Sequence, residues 1–182
     1  MSDRAATRAA LLDAARVLFT RSGYDHVGVR EIAGVVGVNA ALINRYFGSK
    51  AALFEEVVAE SFTVRDLLVG DRATLGERLA RYLVAKRPVG LESARFDPTL
   101  VLLRSAASPE VGPTLRAALA EQVVAPLAVW LGAPDAIARA HAVVALLFGV
   151  ALARDVLGAD AADREATVAH LGPAFQRLLD GR

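Results

Sequence analysis

Asn44 and Arg45 stand side by side, one turn after Ala40 and Ala41 and just before Tyr46. Asparagine pairs in a bidentate manner with an adenine edge and arginine with a guanine edge, while small residues let a backbone approach a surface closely. Asn39, Tyr46 and Lys50 around them are side chains that hydrogen-bond phosphate oxygens and fix register without reading bases. This is recognition chemistry, and nothing in the chain competes with it as catalysis. His26, His141 and His170 are far apart, and none has a partner at i+3 or i+4 that would complete a metal pair. Glu55, Glu56 and Glu60 put acids one turn apart, as an ordinary solvated helix face does. With no cysteine there is no disulfide, thiolate nucleophile or thiolate-held metal. The chain is expected to be no enzyme and to carry no cofactor and no metal.

The recognition residues need two short helices to hold them. Over 28–50, GVREIAGVVGVNAALINRYFGSK, a first helix is expected from Val29 to Val36, with Ile32, Ala33 and Val36 inward and Glu31 near its positive end. Gly37 ends it, because glycine enters the left-handed region without steric cost. Asn39 caps the second helix, and Val38 with Ile43 staples the entry angle. Ile43 and Phe47 then face inward, which turns Ala40, Ala41, Asn44 and Arg45 outward. The result is a helix-turn-helix whose second helix, from Asn39 to Phe47, fits a DNA major groove.

From Leu11 to Phe54 the chain resembles the N-terminal domain of the TetR (tetracycline repressor-like) family of bacterial transcription regulators. The matching pieces are the apolar first helix ending in Arg21-Ser22-Gly23-Tyr24, the REIA tetrad from Arg30, the Gly37-Val38 turn, and Tyr46-Phe47-Gly48-Ser49-Lys50 before Leu53-Phe54. The resemblance implies an all-α protein of about nine helices, an N-terminal three-helix DNA-binding domain followed by a ligand-binding and dimerisation domain. The expected domains are 1–48 and 49–182. The DNA-contacting set is then Gly28, Arg30, Asn39, Ala40, Ala41, Leu42, Asn44, Arg45, Tyr46 and Lys50. Family members usually carry Ser or Thr near Gly28, Lys or Arg at Ala40 and an aromatic residue at Asn44. These departures remove phosphate contacts and add an adenine reader, so the operator does not transfer from relatives.

Composition fits this reading without establishing it. The chain has 182 residues, enough to bury a core, and is 54% hydrophobic with few aromatics, which favours closely packed helices. Arg104, Arg139 and Arg154 are among the charges that interrupt the apolar runs before about 18 residues, and no secretory signal is visible, so a cytoplasmic protein is expected. The net charge of +1 divides unevenly. Residues 1–50 carry seven Lys/Arg against four Asp/Glu, and the remainder is acidic by two. That asymmetry has the sign expected of a phosphate-facing piece, but a split this small proves nothing alone.

Along the chain, Leu11, Leu12, Ala15, Leu18 and Phe19 form one face of a first helix from about Arg4 to Ser22. Arg4 and Arg8 are either solvated face charges or an arm along a DNA backbone. Ser49 caps a fourth helix to about Leu68. Lys50 sits at its first turn, where helix stability explains it poorly and a phosphate contact explains it well. Thr74 and Glu77 form a capping box, and Pro88 and Gly90 end that helix. Asp97-Pro98 opens a short helix, and Pro126 kinks the helix from about Pro113 to Leu131 near Gln122.

Pro134 opens the longest apolar helix, to about Leu157, and a last helical region from Asp160 to Leu179 bends at Gly172-Pro173. Residues 142–152 are apolar on every side and need cover all round. In the family this pair joins its twin as a four-helix bundle, so a homodimer through 134–157 and 160–179 is expected. The resemblance also implies a small-molecule effector that releases the protein from a palindromic operator. Phe62, Tyr82, Phe96, Arg104, Trp130 and His141 are the candidate ligand-binding residues, and the effector is read as apolar or aromatic. The competing reading is a helical small-molecule-binding protein that keeps the head only as a fold.

Overall fold

The computed structural model describes residues 3–59, 65–85, 96–158 and 163–181. Among these residues helix is the only regular structure, as expected. The α-helices are α1 (Asp3–Ser22), α2 (Val29–Val36), α3 (Ala41–Phe47), α4 (Lys50–Ala59), α5 (Arg65–Leu68), α6 (Leu75–Ala85), α7 (Pro98–Ser105), α8 (Gly112–Leu119), α9 (Ala125–Leu131), α10 (Ala136–Asp155) and α11 (Arg164–Asp180). Contacts divide the chain into two units, 1–62 with 91–118, and 63–90 with 119–182.

The first unit is built on α1. Leu11, Ala15, Leu18 and Phe19 are buried along one face, and α2, α4 and α7 pack against that helix. Phe19, Tyr24 and Phe54 meet as an aromatic trio, with Phe54 edge-on to both others at 5.1 Å. Edge-to-face pairs favour this spacing because the positive ring edge meets the negative face. Around them close Val27, Ile32, Ala33, Ile43, Phe47, Leu53, Val57 and Val58, so one core supports both short helices and α4.

Local signals in this unit act as the sequence predicts. Gly37 has φ 76°, and its N–H returns to the last turn of α2. Ser49 Oγ accepts from Ala52 N at 3.0 Å, and Asp97 Oδ1 accepts from Thr99 N at 2.8 Å, capping α4 and α7.

In the second unit α6 and α11 lie in close contact along Gly76 and Gly172. Gln176 tightens the pair by accepting from Gly76 N at 2.9 Å and donating to Arg72 O. The expected capping box at Thr74 and Glu77 is not what begins α6. Asp71 instead caps a 3-10 turn over Arg72–Thr74, and Glu77 reaches Arg81 at 2.9 Å. Asp is the stronger cap, and it precedes Thr74 by three residues.

Pro126 disturbs its helix where expected but in another form. With no N–H at 126, the chain widens into a π turn over Ala120–Val124 between α8 and α9. Pro173 lies inside α11, which runs on to Asp180.

Two stretches, Gly112–Leu131 and Ala136–Asp155, are long and apolar enough to cross a membrane by length and composition. The arginines of α10 are nevertheless committed to packing. Arg139 Nη1 donates to Leu179 O at 2.8 Å, and Arg154, nearly buried, bonds Leu83 O and Asp155. On the opposite side of α10, Ile137, His141, Ala145, Gly149, Leu152 and Val156 form an exposed, mostly apolar stripe.

Candidate nucleic-acid interface

α3 presents its residues by alternation of buried and exposed positions. Ile43 is fully buried and Phe47 nearly so, which fixes the helix's inner face. Asn44 and Arg45 fall on the outer face, exposed, with Ala41 and Asn39 beside them. Asn39 is the cap expected, its Oδ1 accepting from Ala41 N at 2.8 Å. Ala40, Leu42 and Tyr46 are half-buried, and Gly28 and Arg30 at the start of α2 are exposed. The expected set thus gathers on one helix-turn-helix, with Asn44 and Arg45, the side chains expected to read bases, open to solvent.

Lys50, for which a phosphate contact is expected because helix stability explains it poorly, has partners within the protein. Its ammonium donates to the carbonyls of Tyr24 and Val27, both at 3.0 Å, and lies 3.8 Å from the centre of the Tyr24 ring. A cation over an aromatic face with two carbonyl acceptors is a structural station in its own right. The sequence places Tyr24 and Lys50 far apart, so this partnership was not visible there.

Arg4 and Arg8, both on α1, differ in their surroundings. Arg8 forms an ion pair with Glu56 at 2.5 Å and covers the Phe47 ring at 4.6 Å. Arg4 is exposed, and its guanidinium sits 5.8 Å from the centre of the Tyr46 ring, beside the recognition helix. A guanidinium exposed over a ring keeps its hydrogen-bond donors open in a way that one paired with a carboxylate does not.

Of the six ligand-binding candidates, five lie among the described residues, two in the first unit and three in the second. Phe62 lies outside the described residues. Phe96 and Arg104 belong to the first unit, where Phe96 packs on the core and Arg104 Nη1 donates to Arg21 O at 2.7 Å. Its guanidinium, read as a ligand contact, is taken up by the C-terminal carbonyls of α1. In the second unit Tyr82 is 43% exposed, and His141 lies on the outer stripe of α10. Trp130 lines a shallow groove of about 490 Å³ with Leu68, Glu121, Ala125, Pro126 and Val129, and Arg72 covers its ring at 4.7 Å. A second groove, about 590 Å³ along α6 and α11, is edged by Glu77, Arg81 and Glu165, whose charges already pair.

Sequence reading missed the buried polar residues Thr20, Ser105 and Ser108. Their signal was weak: single hydroxyls at positions that helical spacing assigns to the apolar face.

The family model described as "Bacterial regulatory proteins, tetR family" matches residues 11–57, and "Tetracyclin repressor-like, C-terminal domain" matches residues 73–179. The HTH-type transcriptional repressor BdcR of Escherichia coli (strain K12) is 38% identical over 77 residues, 40% of this chain. That match spans 39% of the relative's length. The crystal structure of a TetR-family regulator from Streptomyces coelicolor A3 is 28% identical, with a TM-score of 0.57 over 98% of this chain and 96% of that one. Native NalD, the secondary repressor of the MexAB-OprM multidrug efflux pump in Pseudomonas aeruginosa, shares the fold at 20% identity, with a TM-score of 0.69 over 96% and 97% of the two chains.

Proposed function

Because this chain belongs to the tetracycline repressor-like (TetR) family of bacterial regulators, we propose that it is a cytoplasmic homodimeric repressor. It binds a palindromic DNA operator and is released by a small molecule. The observation that carries this reading is the outer face of α3: Asn44 and Arg45 exposed on a short helix whose inner face, Ile43 and Phe47, is locked in the core. Each copy lays α3 in a major groove, with Asn44 and Arg45 on base edges. Ala40, Ala41 and Leu42 allow close approach. Gly28, Arg30, Asn39 and Tyr46 meet phosphates, joined by Arg4, while Lys50 holds the turn behind them.

Two heads about one helical turn apart require a second copy. The stripe on α10 and the half-buried Leu171, Ala174 and Leu178 of α11 supply a self-complementary surface of the kind a two-fold seam uses. The effector, apolar or aromatic in this reading, favours the arrangement of the two copies that does not match the operator spacing.

Selection of random duplexes by the purified full chain tests the reading. The expected product is an inverted repeat whose half-sites are about one turn apart. Recovery of no motif, with binding that only tracks salt, overturns it.

A further inference from the structure

The turn between α1 and α2 is gripped by a segment some eighty positions later in the sequence. Arg104 Nη1 donates to Thr20 O and to Arg21 O, closing the C-terminal end of α1. Ser105 Oγ accepts from Tyr24 N at 3.0 Å, Ser108 Oγ donates to Asp25 Oδ1 at 2.8 Å, and Thr20 Oγ1 accepts from Asp97 N at 3.1 Å. Burial, and then the neighbouring Glu110 carboxylate, push the Tyr24 phenol's pKa well above the ordinary tyrosine value. Gly23, at φ 74°, makes the approach possible, since a Cβ there would lie 2.6 Å from Arg104 O.

Thr20, Tyr24, Ser105 and Ser108 are all at most 4% exposed, so this is a polar seam inside an apolar core. Apolar contacts can slide by a few tenths of an ångström at little cost. Buried hydrogen bonds cannot, because each donor or acceptor left unmet is desolvated with nothing to replace its lost water. The seam therefore holds the turn more tightly than apolar packing alone would. What it grips runs straight into Gly28 and α2, while Lys50 holds the same turn through Tyr24 O and Val27 O.

Resting on the repressor reading above, we propose that residues 97–110 are a polar clasp on the turn at Tyr24 that positions α2 and α3, so that Arg104 and Ser105 govern operator affinity without touching DNA. They are positioning residues. The DNA-facing side chains themselves, Asn44 and Arg45, lie on α3, and none of the clasp's bonds involves them.

The test uses the full chain with Arg104→Met, Ser105→Ala and the charge-keeping Arg104→Lys. In the free protein, amide exchange at Tyr24 and through α2 is expected to speed up about tenfold in the first two variants, with the rest of α1 unchanged. Affinity for the sequence selected by the unaltered chain is expected to fall about tenfold, while affinity for random duplex and its salt slope stay put. Arg104→Lys recovers part of the loss. Specific affinity that is unchanged, or that falls only in step with affinity for random duplex, overturns the clasp, as does unaltered exchange at Tyr24. If a variant loses its helical signal, Ser108→Ala, which removes one link only, is read by the same criteria. Failure of the unaltered chain to select any duplex instead removes the repressor reading, and exchange at Tyr24 still decides whether the clasp holds the turn.

Discussion

Lys50 Nζ stands 3.8 Å from the centre of the Tyr24 ring while donating to the Tyr24 carbonyl of the same residue. The first turn of α4 is a poor place for a cation, since the helix dipole is positive there. The ring face and two carbonyls offset that cost, and they tie the start of α4 to the turn before α2. Lys50→Met is therefore expected to lower stability by about 2 kcal/mol, from one cation–π contact and two charged hydrogen bonds. At 2–4 °C per kcal/mol this is a fall of about 4–8 °C in Tm, measurable by calorimetry. The salt slope of DNA binding should not change. A slope reduced by about one unit would return Lys50 to the phosphate contacts.

Arg45 is exposed and free of any role in the core, so its loss should leave folding alone. Arg45→Ala is expected to cost about 1–3 kcal/mol on the selected operator and to relax the preference at one base pair. Binding to random duplex should weaken much less. Equal losses on both, in a competition gel shift, would reject a base-reading role.

What the sequence revealed and what it hid divide along the range of the interactions. Gly37, Asn39, Ser49 and Asp97 act within a turn of themselves, and their caps and stops lie where local rules put them. The outward face of α3 follows from Ile43 and Phe47 alone, so the candidate interface was legible too. Lys50, Arg104 and Arg8 were not. Each meets partners between 23 and 84 positions away, and a cation with a distant carbonyl or ring acceptor leaves no periodic trace. The same holds for Ser105, whose partner Tyr24 N is a backbone group that every sequence has.

Arg4 and Arg8 share one helix, yet opposite outcomes are expected of them. Arg8 is paired with Glu56 and covers Phe47, although both partners of the ion pair are about two-fifths exposed. Arg8→Ala should thus reduce stability by about 1 kcal/mol and leave the salt slope intact. Arg4→Ala should leave Tm unchanged and reduce the slope by about one unit, on operator and random duplex alike. The opposite pattern would place Arg4 away from DNA.

The stripe on α10 predicts how the protein assembles. Ile137, His141, Ala145, Gly149, Leu152 and Val156 share the side of the helix turned from Ala140, Val143, Val144 and Ala151, which are buried. A two-fold axis sets any such residue near its own copy, so Ala145→Glu introduces two like charges into a seam that must lose water. Sedimentation should give a dimer for the unaltered chain and a monomer of retained helicity for Ala145→Glu. Operator affinity should fall with it, because one head alone has half the contacts. Ala169→Glu, at an exposed position of α11 beside Val168 and Glu165, is the control and should remain dimeric. An Ala145→Glu protein that stays dimeric would move the seam off α10, since a surface carrying that charge pair could not close.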